Sequence, residues 1–149
     1  MSIDDFFEKI DQDIESIDAK NKAHVDKMEK LELFLDKAIQ DIAPNLRQYE
    51  QYLKDKNINY KLSINRLSFS LIMYYKDGGH SGIIFGQERL SRDPYYTFMS
   101  TFTNEDGKNY IATNAVPITE NNWSIELINN EIQKAIKDFL FYASRHGGF

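Results

Sequence analysis

Apolar residues recur in alternating steps of four and three through the first forty-odd residues of the chain. From Ile3 the series passes through Phe7, Ile10, Ile14, Ile17, Asn21, His24, Met28, Leu31, Leu35, Ala38 and Ile42. Only Asn21 and His24 are polar. A repeat averaging 3.5 residues keeps one seam of an α-helix turned toward a partner, as in a coiled coil. Ser2 is a candidate N-cap with Asp5 three residues on, and neither Gly nor Pro interrupts residues 3–42. The polar stretch Asp18–His24 admits two readings, a continuous helix or the turn of a helical hairpin. Continuity is favoured, because no residue there demands a positive φ. Pro44 then predicts a kink, or the first turn of a shorter helix carrying Leu46, Tyr49 and Leu53.

The period changes after Asn57. Tyr60, Leu62 and Ile64 alternate with polar residues, and so do Leu67, Phe69, Leu71, Met73 and Tyr75, which is a strand pattern. Asp77-Gly78-Gly79 supplies the positive φ of a hairpin turn, and His80–Gln87 returns with Ile83 and Phe85 on one face. Tyr96, Phe98 and Phe102 share a face of the next strand, and Glu105-Asp106-Gly107-Lys108 turns into Tyr110–Val116. Beyond Pro117 the helical period resumes. Ile125, Ile128, Ile132, Ala135, Ile136, Phe139, Leu140 and Ala143 trace one broad stripe, ended at Gly147. The predicted fold is α+β: a long N-terminal helix, an antiparallel meander of four or five strands, and a C-terminal helix covering the sheet. One domain is expected over residues 1–149, as a helical arm (1–57), a sheet (58–117) and a C-terminal helix (118–149).

A helix over residues 3–42 would span about 60 Å, against about 25–30 Å for the strands. The overhanging apolar seam therefore needs cover from a second copy, a fold-back, or another protein. In an antiparallel pair of arms Ile10 meets the partner's Leu35, Ile14 the partner's Leu31, Ile17 the partner's Met28 and Asn21 the partner's His24. A parallel pair sets Asp13 against Asp18, and the antiparallel pair brings Lys20 near Lys27. A homodimer through this helix is one expectation, and a polar seam residue such as Asn21 sets its register.

Charge sharpens the choice of partner. The net charge of −5 resides in residues 1–57, with 14 acids against 9 bases, while residues 58–149 balance. Residues 1–18 hold Asp4, Asp5, Glu8, Asp11, Asp13, Glu15 and Asp18 against Lys9 alone. These acids favour a helix N-terminus, repel phosphate and anionic membranes, and attract a basic protein surface. No cysteine is present, so disulfides and thiolate metal sites are excluded. The first residues lack a signal-peptide pattern and no apolar run reaches the roughly 20 residues of a bilayer span, so a cytoplasmic location is expected.

Candidate chemistry is sparse. Asp11, Asp13 and Glu15 begin like a calcium loop, but Ser16 stands where the turn needs Gly, and Lys22 where Glu is required. Gly78-Gly79-His80-Ser81-Gly82 lacks both the spacing and the strand-to-helix setting of a nucleophile elbow. His24, His80 and His146 fall in three elements without metal-ligand spacing. Tyr74, Tyr75, Tyr95 and Tyr96 resemble a stacking platform, but no basic groove accompanies them, so nucleic acid is not expected.

Small, acidic, cysteine-free α+β chains with aromatic meanders resemble the bacterial immunity proteins and toxin inhibitors, a resemblance of general type without a shared motif. It implies a non-enzymatic protein-binding module that masks a basic partner, such as a toxin or nuclease. Two alternatives stand beside it. One is a dimeric secretion-type chaperone or adaptor that binds an unfolded segment along the sheet edge. The other is a small-molecule-binding or enzymatic domain with a helix–sheet pocket lined by tyrosines, His80 and Arg89. No cofactor or metal is expected.

Overall fold

The computed structural model describes residues 2–149. It shows the expected α+β architecture, with a five-stranded antiparallel sheet between two helices in the chain. Helix α1 covers Ile3–Asp55 without a break. Its start is a reciprocal cap: Asp5 N–H donates to Ser2 Oγ (3.1 Å) and Ser2 N–H to Asp5 Oδ2 (3.4 Å). The helix passes straight through Asp18–His24, so the hairpin turn weighed for that stretch is not present. It also passes through Pro44, so of the kink and the shorter second helix that the sequence allowed there, the second helix is not present. Pro44 and Gln40, whose carbonyl loses its usual donor, are both exposed, so water can satisfy that group. The end is a left-handed cap at Asn57 (φ 56°). Ile58 N–H reaches back to the Leu53 carbonyl and Asn57 N–H to that of Lys54, while Leu53 and Ile58 are both buried.

The strands are β1 (Asn59–Ile64), β2 (Phe69–Tyr74), β3 (His80–Glu88), β4 (Tyr95–Thr103) and β5 (Asn109–Thr113), joined as a simple meander in the order β1-β2-β3-β4-β5. Cross-strand register places Phe69 opposite Phe85 and Phe85 opposite Phe98, and Leu71 opposite Ile83. Residues two apart share a face, so these side chains make one apolar layer. Gly82 permits the close approach of β2: a Cβ there would lie 2.3 Å from the Leu71 carbonyl oxygen.

Helix α2 (Ile125–Tyr142) opens on Ser124, whose Oγ accepts the Leu127 N–H at 3.0 Å, and continues as a 3-10 turn over Ala143–His146. It buries Ile128, Ile132 and Phe139. Ile125 and Leu140 are exposed, so the covering stripe is narrower than the sequence pattern suggests.

The chain divides into two compact units between Phe34 and Leu35. Among the described residues, every buried apolar side chain lies in the second, from Leu35, Ile39, Ile42, Leu46 and Leu53 of α1 through the sheet to Phe139 and Ala143. From Ile3 on, the first unit is helix. No helix of the described residues is long and apolar enough to cross a membrane.

Candidate protein-docking surface

Residues 3–27 of α1 are exposed throughout. Ile3 (72%), Phe6, Phe7, Ile10, Ile14 and Ile17 (57%) show large apolar side chains to solvent within fifteen residues of sequence, and Val25 adds another. A globular protein rarely leaves such a contiguous stripe uncovered unless something docks on it. In a heptad the positions flanking the seam decide partner choice. Here one flank carries Asp4, Asp11 and Asp18 at seven-residue spacing, and the other Phe6, Asp13, Lys20 and Lys27. Asp5, Glu8 and Glu15 are exposed as well, so all seven acids singled out in the sequence lie on this helix and face water.

The seam itself is divided. Ile10, Ile14, Ile17, Asn21 and His24 are exposed, whereas Met28 and Leu31 are half-buried. Leu35 is fully buried among the apolar side chains of the second unit. The repeat thus serves two purposes in succession: its N-terminal part is free, and its C-terminal part (Leu35, Ala38, Ile42) closes the protein's own core. An intermolecular pairing of Ile10 with Leu35 has no free Leu35 to use.

The second unit holds a cleft of about 360 Å³ lined by Tyr75, Ser81, Ser100, Thr101, Asp138 and Arg145, among others. At its inner end the His146 ring stacks on Tyr75 (4.2 Å, 3°), which stacks on Phe139 (4.4 Å, 13°). Tyr75 donates its hydroxyl to the Phe139 carbonyl at 2.8 Å, and burial pushes its pKa up to about 12. His146 Nδ1 lies 2.8 Å from Asp77 Oδ2, and Asp77 Oδ1 accepts the Gly79 N–H at 2.8 Å. That backbone donor is the main cause holding the Asp77 carboxyl below its ordinary value, with His146 adding to it. This layer ties the C-terminal turn to the β2–β3 hairpin, since Lys76 N–H also donates to the Gly148 carbonyl. The sequence analysis found only that His146 lacks metal-ligand spacing, and no spacing rule reveals this stack.

His80 sits with its Nε2 2.7 Å from Thr101 Oγ1 and its Nδ1 3.2 Å from Thr103 Oγ1. Burial lowers its pKa, so the ring stays neutral near pH 7. It touches threonines, not a carboxylate or a nucleophile, and Ser81 beside it carries its side chain to the other face of β3. Arg89 and Arg92 are exposed in the β3–β4 loop and do not line the cleft that holds His80. Glu88 closes that loop. The Ser91 hydroxyl and the N–H groups of Leu90 (2.6 Å) and Ser91 (3.1 Å) keep its carboxyl below the usual range. Among the described residues, no three His, Asp or Glu side chains converge as a metal site would require. Comparisons with family models, curated proteins and solved structures found no match to this chain.

Proposed function

We propose that the protein is a non-enzymatic binding module that offers residues 3–27 of α1 as a docking helix to another protein. The observation that carries this reading is the exposed Ile and Phe stripe, which stands free while the second unit closes its core without it. The partner of best chemical fit is a protein with an apolar groove rimmed by Lys or Arg. Residues 1–18 carry seven acids and one base, and Asp4, Asp11 and Asp18 line one edge of the stripe. A basic toxin or nuclease has such a surface, and masking it would suit an inhibitor or immunity protein.

A second copy of the arm is a poorer occupant. In a parallel pair Asp13 meets the partner's Asp18 on both flanks. In an antiparallel pair centred on the free seam, Ile14 meets the partner's Ile17, and Asp11 then faces the partner's Asp18 twice. On the other flank of the antiparallel pair Asp13 faces the partner's Lys20, which offsets part of that repulsion, whereas a basic rim meets the acids of the arm with opposite charge throughout.

The test is affinity capture from the native cell with the intact chain and with Ile14→Asp/Ile17→Asp, followed by binding kinetics on the protein that the intact chain alone retains. Loss of roughly 100-fold or more in affinity is expected for the double variant, with an association rate that falls steeply with salt. A retained partner that ignores both the substitutions and the salt would refute the proposal.

A further inference from the structure

The free edge of β5 is the second unpartnered feature of the molecule, and its geometry is specific. Asn104 N–H donates to the Lys108 carbonyl and Asn114 N–H to that of Phe98, at the two ends of the β4–β5 ladder. Hydrogen-bonded pairs alternate along an antiparallel ladder. The residues of β5 that bond inward to β4 are therefore Tyr110 and Ala112, opposite Phe102 and Ser100. The N–H and C=O groups of Asn109, Ile111 and Thr113 point outward from the sheet. All five residues of β5 are exposed, and Ile111 is 64% exposed.

Edge strands are normally guarded by charge, proline or a covering element. The opposite edge follows that rule: β1 carries Lys61, and its Leu62 and Ile64 are half-buried. β5, Asn-Tyr-Ile-Ala-Thr, has no charged residue and no proline. It is also self-complementary. Turned end for end about Ile111, the strand sets Ile111 against a second Ile111, Tyr110 against Ala112, and Asn109 against Thr113. The outward-bonding residues then fall opposite one another as hydrogen-bonded pairs, closing about six backbone bonds.

We propose that β5 pairs antiparallel with β5 of a second copy, joining two five-stranded sheets into one across a twofold axis at Ile111. The apolar Ile111 side chains meet on one face. On the other, the partner's Tyr110 stands over Ala112, at the rim of the cleft lined by Ser100 and Phe102. The contact is short, which places it among weak interfaces, with dimer forming on the order of tens to hundreds of micromolar. It uses no residue of the docking helix, so it is independent of the function proposed above.

Light scattering of the full chain over a concentration series tests this, combined with amide exchange. The mass should rise from 17.5 kDa toward twice that value. With rising concentration the amides of Asn109, Ile111 and Thr113 should gain protection, while Tyr110 and Ala112 are protected throughout. Ile111→Lys, which sets two ammonium groups on the axis, and Ile111→Pro, which removes an outward N–H without touching the β4 ladder, should both hold the chain monomeric. A monomer at every concentration, or a dimer that survives both variants, would overturn the proposal. So would a dimer abolished by Ile14→Asp and untouched at Ile111, because the arm would then be the interface.

Discussion

The stacked layer of Phe139, Tyr75 and His146 gives single side chains measurable consequences. Tyr75 donates to a carbonyl at the end of α2, so Tyr75→Phe should lower stability by about 1 kcal/mol in urea denaturation. Its pH behaviour has a definite sign. The phenol titrates at about 12 in the folded chain and near 10 when unfolded. The contribution is fully present below pH 10 and is lost as pH rises toward 12, because the unfolded chain releases the proton first. Stability measured from pH 9 to pH 12 should fall, and Tyr75→Phe should flatten that fall. His80 works in the opposite direction. Its pKa is lowered by burial, so its contribution is present above the ordinary value near 6.5 and declines as pH drops through the folded value. Replacing it with Gln should reduce the loss of thermal stability between pH 7 and pH 5. The amino-acid pattern singled out Tyr75 and His80 but not the groups they meet. His80 and His146 gain their partners from residues 21 and 69 positions away, and no local period encodes such distances.

Whole elements were far more legible, for reasons the helices and strands make plain. Alternation over residues 69–75 and 96–102, bracketed by Asp77-Gly78 and Asp106-Gly107, defines strands and turns through purely local sterics. Both glycines indeed take positive φ, at 88° and 76°. The long helix was harder, because its two ends obey the same heptad for different purposes. Ile10 and Leu35 occupy equivalent seam positions, yet one is exposed and the other lies in the core. Only the sheet, which is distant in sequence, makes that distinction. Pro44 left two readings open, a kinked helix or a second shorter one, because the sequence does not show that it lies on a solvent-facing turn where water can bind the freed carbonyl. The cap that does end the helix predicts that Asn57→Ala costs about 1 kcal/mol, since Ala keeps the Cβ but loses the short polar side chain that lets Asn tolerate positive φ, whereas Asn57→Gly, which has no Cβ, is neutral or better. Denaturant midpoints of the two variants would separate them. In the sheet, Gly82→Ala should cost about 3 kcal/mol or more, because its methyl group meets the Leu71 backbone and not a pliable side chain.

Across the whole chain, the division between Phe34 and Leu35 separates what folds from what is presented. Among the described residues, all buried apolar side chains lie at or beyond Leu35. A chain shortened to residues 31–149 should therefore unfold cooperatively, with a midpoint within a few degrees of the intact protein. Calorimetry of the two chains checks this, and a collapse of cooperativity would show that residues 3–30 support the core. The acidic excess follows the same division, since residues 35–149 carry equal numbers of acids and bases. Residues 3–27 are thus bound by few structural obligations: they must remain helical, and little else. Selection can rewrite their side chains almost at will, since a change there leaves the folding equilibrium untouched. Under the docking role proposed above, the recognition surface can change without disturbing the folded unit, and a foreign amphipathic helix grafted onto the same stem should carry no folding penalty.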